Sequence, residues 1–142
     1  MSDQDETTSS TEGIDDPAVT AWLSSRVPAL APPLTFDRIV GGLSNLTFRV
    51  TDADGRRWVL RRPPLGHVLA TAHDMGREAR IMTALAPTPV PVPPVVDLCT
   101  DESVNGAPFY VMDFVDGIVA SSMAAAEPMS VAARERAGEA LV

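Results

Sequence analysis

Gly41-Gly42-Leu43-Ser44-Asn45-Leu46-Thr47-Phe48-Arg49-Val50, a break at Asp52-Ala53-Asp54-Gly55, and the return Trp58-Val59-Leu60-Arg61-Arg62-Pro63-Pro64 make up the stretch from which the rest of the chain can be read. Leu46, Phe48 and Val50 alternate with polar residues, the period of a half-buried strand. The Asp-Ala-Asp-Gly break is a hairpin signal, its glycine free to take a positive φ. Trp58 to Arg61 then runs back antiparallel until Pro63-Pro64 stops it. Upstream, Phe36-Asp37-Arg38-Ile39-Val40 carries the same two-residue period into the Gly-Gly turn.

Beyond the second strand the period changes. Met75, Met82 and Leu85 share one stripe of a helix expected over Thr71 to Leu85. Pro87, Pro89, Pro91, Pro93 and Pro94 then require an extended crossing. Pro91-Val92-Pro93-Pro94 also satisfies a PxxP ligand pattern, but a rigid crossing into the next strand is the better reading. Val95-Val96-Asp97-Leu98 and Phe109 to Phe114 read as strands on either side of a turn at Asn105-Gly106. Near the start, Asp16-Pro17 opens a helix through Val19, Trp22, Leu23 and Val27, ended by Pro28, and Pro32-Pro33 forms a linker. Ser130 can cap a last helix through Arg134, Arg136 and Leu141. The expected fold is α+β: five antiparallel strands on one curled sheet, with one helix inserted after the third.

Composition narrows the function. Residues 1–16 hold six acidic groups and little apolar surface, so they read as a disordered tail, with no basic start or apolar run of a signal peptide. A net charge of −8 argues against nucleic acid as a partner. No apolar run reaches the roughly 20 residues of a membrane span. A single cysteine, Cys99, fits a reducing, cytoplasmic setting. All eleven basic residues are arginine, so any phosphate-binding cation here is a guanidinium and lysine chemistry is excluded. His67, His73 and Cys99 lack the spacing of metal ligands.

Four places carry candidate chemistry. Gly41, Gly42, Ser44 and Asn45 can bring backbone amides and short polar side chains close to phosphate oxygens, although the pentapeptide alone also fits a plain hairpin turn. On the third strand Val59 and Arg61 share a face, an arrangement that suits a base and its phosphates; an edge arginine in solvent would look the same. Glu78 is the one charge on the stripe of Met75, Met82 and Leu85. An unpaired carboxylate there costs several kcal/mol, so a partner is expected from Arg61 or Arg62, whether for orientation or only for structure. Met112-Asp113-Phe114-Val115-Asp116-Gly117 ends a strand in a linker. Its Asp113 carbonyl and Val115 amide match an adenine edge, with Met112 at the back.

These blocks occur in an order that resembles the N-terminal lobe of the aminoglycoside phosphotransferase family, a kinase-like fold, and in particular the kinase-like domain fused to some acyl-CoA dehydrogenases. The residues that carry the likeness are Gly41 to Phe48, Trp58 to Pro64, Ala72-His73-Asp74 with Arg77-Glu78, Pro91-Val92-Pro93, and Pro108 to Met112. The resemblance covers roughly residues 34 to 142. It implies an ATP-binding lobe over 34–117, with 17–33 a helix and linker before it. Residues 118–142 would be a linker and the first helix of a second lobe. Gly41 to Asn45 would lie over the phosphates, Arg61 would replace the family's phosphate-contacting lysine, Glu78 would be its partner, and Asp113 and Val115 would read adenine. The replacement keeps charge but changes reach.

The family's catalytic loop, a His-Gly-Asp or similar triplet with a following Asn, and its later Asp-x-Asp for Mg2+ have no counterpart among these residues. His73-Asp74 precedes Glu78 and cannot serve. Three readings follow. The chain is the nucleotide-binding part of a small-molecule phosphotransferase, inactive alone and completed by a C-lobe; or a non-catalytic nucleotide-binding or regulatory module; or a degenerate fragment. An uncovered lobe interface would favour a separately encoded C-lobe or self-association.

Overall fold

The computed structural model describes residues 11–39, 45–66, 74–116 and 130–132. The elements are α1 (Asp16–Arg26), β1 (Thr35–Arg38), β2 (Leu46–Thr51), β3 (Arg57–Arg62), α2 (Met75–Leu85), β4 (Val95–Cys99), a one-turn α3 (Glu102–Asn105) and β5 (Phe109–Asp113). The five strands form one sheet in the order β1-β2-β3-β5-β4, antiparallel throughout. The expected five strands and the helix after the third are all present. The short α3 turn is additional, and Gly106 ends it at a φ of 80°.

Strand alternation sorts the side chains onto two faces. On one, Leu46, Phe48, Val50, Trp58, Leu60, Phe109 and Val111 meet Val19, Trp22 and Leu23 of α1. Trp22 stands edge-on to Phe109 with ring centroids 4.9 Å apart, a favourable quadrupole arrangement. On the other face, Met75 and Ala79 of α2 pack over Tyr110, with Met82, Val95, Leu98 and Met112 around them. Val59 and Arg61 belong to this second face because they alternate with Trp58, Leu60 and Arg62.

Several expectations shift. The cap of α1 is Asp15, whose carboxylate accepts from the Ala18 amide at 3.2 Å; Asp16 and Pro17 lie inside the first turn, where Pro costs no hydrogen bond. Helix α2 starts at Met75 and not at Thr71, because the Asp74 carboxylate caps it by accepting from the Arg77 amide at 3.0 Å. Thr71 itself lies outside the described residues, as do Gly41, Gly42 and Ser44. Of the helix expected after Ser130, residues 131 and 132 are helical and the rest is outside the description.

Within residues 11–16, assigned by composition to the acidic tail, Gly13 and Ile14 are packed while Glu12, Asp15 and Asp16 stay exposed. Ile14 is buried in the main core. The Gly13 carbonyl accepts from Arg62 Nη1 at 3.0 Å and from Asn105 Nδ2 at 3.1 Å, and the Asp15 amide donates to Asn105 Oδ1 at 2.8 Å. Arg62 is only 6% exposed, and burial lowers its pKa from the ordinary guanidinium value. Its other acceptors are the carbonyls of Pro63 and Asn105. A buried cation needs such acceptors, and a compositional count cannot see the demand.

Asp52 holds the β2–β3 turn from inside. Its carboxylate accepts from the amides of Ala31, Asp54 and Arg56 and from Arg56 Nε. Burial alone would raise its pKa, but these hydrogen bonds, led by the Arg56 amide, outweigh burial and hold it below the usual carboxylate value. A depressed folded pKa stabilises the protein above the unfolded pKa of about 3.9 and ceases to do so as pH falls through the lower folded value. Asp52→Asn should therefore be less stable than the wild type at pH 7, with the gap closing below about pH 4. Urea titrations at the two pH values check this; a gap independent of pH would assign the loss to packing.

Candidate functional site

The second face of the sheet gathers the polar groups. Three neighbouring strands contribute one residue each to a row: Thr47 of β2 pairs with Arg61 of β3, which pairs with Tyr110 of β5. Helix α2 crosses above this row, and Glu78, in its first turn, points down onto it. A carboxylate near a helix N-terminus is favoured by the exposed amide dipoles.

Four side chains meet there. Arg61 Nε lies 3.2 Å from Glu78 Oε1. Tyr110 Oη donates to the same oxygen at 2.9 Å, and Asn45 Nδ2 donates to Oε2 at 2.9 Å. Arg61 Nη1 reaches Thr47 Oγ1 at 3.5 Å, the long limit of a hydrogen bond. Of the two arginines expected to compete for Glu78, Arg61 takes the carboxylate while Arg62 points to the opposite face. The arginine and glutamate side chains keep 29% and 31% of their exposure, so the pair is screened but not solvated on all sides. Tyr110 is buried; burial first, then the Glu78 hydrogen bond and charge, raise its pKa well above the ordinary phenol value. Its hydroxyl therefore stays a donor.

Next to this row, Val59 pairs with Met112 across β3 and β5. Met112 packs at the edge of the α2 cluster, and Val59 is only 8% exposed, so little of it is presented outward. Asp113 closes β5, its amide donating to the Pro94 carbonyl at 2.9 Å. Val115 follows, 61% exposed. Here Arg57 clasps the departing chain: its guanidinium stacks 4.5 Å from the Phe114 ring centroid and bonds Asp116 at 2.9 Å. Thus Asn45, Val59, Arg61, Glu78 and Met112 are brought together, with Asp113 and Val115 at the adjoining strand end.

Two residues on this face escaped the sequence reading. Tyr110 is the only tyrosine in the chain. The β3–β5 register would have placed it beside Arg61, but strand pairing is not written in either strand alone. Arg49, on the same face of β2, forms a 3.2 Å ion pair with Asp37. A cleft of about 1370 Å³, lined by Arg62, Asp74, Glu102 and Asn105 among others, opens at the opposite end of the strands from Asp113. Its main polar groups are already engaged, Asp74 as a cap and Arg62 and Asn105 with carbonyls, so it is not where the site reading rests. Among the described residues, no three His, Cys, Asp or Glu side chains gather as a metal ion would require. Nor is any helix among them long and apolar enough to cross a membrane.

A curled five-stranded antiparallel sheet, a helix over one face, and a strand cation locked to that helix's glutamate define the small lobe of a kinase-like fold. Residues 35–142 match the model of the phosphotransferase enzyme family (APH), and the chain belongs to that family. It is 50% identical over 86 residues to mouse acyl-CoA dehydrogenase family member 10, covering 61% of this chain and 8% of that protein. It is 39% identical over 84 residues to human acyl-CoA dehydrogenase family member 11, covering 59% and 11%. A crystal structure from Ralstonia eutropha, of a protein classed among the aminoglycoside phosphotransferases, superposes with a TM-score of 0.60 at 40% identity. That match covers 72% of this chain and 28% of the other. The chain thus spans about a tenth of the length of these curated relatives.

Partly exposed ion pairs contribute little to stability. Arg61→Met should accordingly lower the unfolding free energy by no more than about 1 kcal/mol in a denaturant titration. A loss several times larger would make the pair a structural element.

Proposed function

We propose that this chain is the nucleotide-clamping lobe of an ATP-dependent phosphotransferase that modifies a hydroxyl of a small molecule. The Arg61–Glu78 pair carries the reading. Glu78 engages Arg61 through Nε, which leaves the terminal nitrogens available to a polyanion; among the described residues only Thr47 meets them, at 3.5 Å. The residues fit the role of a triphosphate site's fixed cation, since a guanidinium held sideways by a carboxylate presents two donors in a rigid plane. Gly41, Gly42, Ser44 and Asn45 would cover the phosphates. Val59 and Met112 would line the base, with the Asp113 carbonyl and the Val115 amide reading the adenine edge. ATP with Mg2+ supplies the transferable phosphoryl group, and this lobe's part in transfer is positioning and charge compensation.

The catalytic base and the magnesium ligands come, in this proposal, from a C-lobe beyond these 142 residues. Val115, exposed where β5 runs out beside the Arg57 clasp, offers apolar surface for that second lobe or for self-association. The protein acts in the cytoplasm on this reading. Acceptor choice resides in the second lobe.

Thermal unfolding of the chain with increasing ATP, with and without Mg2+, tests the proposal. At a hundredfold excess over Kd the ligand should stabilise by about 2.7 kcal/mol, a rise of about 5 °C or more for a domain this size. Glu78→Ala should abolish most of that rise. Its ligand-free Tm should fall by the equivalent of roughly 1–3 kcal/mol, which reflects the orphaned Tyr110 hydroxyl as well as the partly exposed pair. No rise at millimolar ATP removes the nucleotide-binding reading. Binding by the chain with no phosphoryl transfer after addition of a relative's C-lobe favours a non-catalytic module.

A further inference from the structure

Glu78 receives more donors than a simple ion pair requires. One Arg61 Nε–H bond to Oε1 fixes neither the rotation of the carboxylate nor the tilt of the guanidinium. Two further donors approach from separate elements: Tyr110 Oη, from β5, onto Oε1, and Asn45 Nδ2, from the start of β2, onto Oε2. With both oxygens held from different directions, the carboxylate plane is set, and with it the plane in which Arg61 lies.

We propose that Tyr110 and Asn45 are positioning residues: they lock the Glu78 carboxylate so that it aims the Arg61 guanidinium at the nucleotide phosphates. This rests on the nucleotide-binding reading above. The row Thr47–Arg61–Tyr110 explains why the phenol is where it is, since strand pairing sets Tyr110 directly beside Arg61. A phenylalanine would fill the same apolar slot beneath Met75 and Ala79. The hydroxyl adds only the bonds to Glu78 and, at 3.6 Å, to Met82 Sδ. Because burial and Glu78 both disfavour the phenolate, the group donates throughout the working pH range. Asn45 extends the lock to a third strand: the N-terminal end of β2 is tied to α2 through the same carboxylate that holds β3.

Tyr110→Phe and Asn45→Ala in the 142-residue chain test the lock in two ways. Without ligand, the Arg61 Nε–H resonance in a 1H–15N spectrum should exchange with water roughly tenfold faster in Tyr110→Phe, the scale of losing a charge-assisted hydrogen bond. In calorimetric titrations Tyr110→Phe should bind ATP about three- to tenfold more weakly and adenosine as the wild type does. Asn45→Ala, whose side chain is itself placed over the phosphates, is read by the same acceleration of Arg61 Nε–H exchange. That split is diagnostic, because damage to packing would weaken both ligands. Unchanged exchange in Tyr110→Phe, or parallel losses for ATP and adenosine, overturns the proposal. If the wild type takes up neither ligand, the nucleotide reading fails, and the exchange measurement alone then decides whether the carboxylate is locked.

Discussion

One carboxylate organises the second face of this protein. Glu78 sits on a helix stripe that is otherwise apolar, between Met75 and Met82, and an ionised group there needs compensation from whatever lies beneath. The sheet provides it with Arg61, Tyr110 and Asn45. Helix α2 is therefore held by apolar contacts at Met75 and Ala79 and oriented by a polar contact at Glu78. The apolar contacts account for most of the adhesion, because the ion pair retains enough exposure to be screened. What the polar contact adds is direction.

In the proposed phosphoryl transfer direction matters, because such a reaction asks little covalent chemistry of the protein and much placement of charge. A lone strand arginine sweeps a wide arc. An arginine gripped through Nε by a carboxylate, itself gripped twice more, does not. The family's usual lysine would offer a single point charge; the guanidinium offers a plane whose setting depends on its neighbours. On the proposed reading, that dependence gives a role to the hydrogen bonds around Arg61 in a chain with no lysine.

Much of this was legible beforehand, and the reason is local. Alternation in Leu46, Phe48 and Val50 and in Trp58 to Arg61 determines which side chains share a face without reference to any distant residue. The charge at position 78 on an apolar stripe demands a partner on physical grounds, and β3 was the element able to supply one. The misses are non-local. Helix α2 starts at Met75 because the Asp74 carboxylate caps it, a role the helical stripe of Met75, Met82 and Leu85 does not reveal. The order of residues 11–16 depends on Arg62 and Asn105, which are 49 and 92 residues from Gly13 in the chain. Tyr110 joins the site only once β5 is known to lie beside β3, a pairing that skips over α2 and β4.

Arg62 has a consequence for where the autonomous folding unit begins. The family likeness starts at residue 35, at the first strand. Yet among the described residues no acid pairs with the buried guanidinium: it is solvated by carbonyl dipoles from Gly13, Pro63 and Asn105, one of them supplied by chain upstream of α1. Cutting the polypeptide at the homology boundary would strip away α1 and, with Gly13, part of that solvation shell, leaving a desolvated cation facing a void. Gly13 and α1, although they precede the family match, thus belong to the same packed body as the kinase-like sheet.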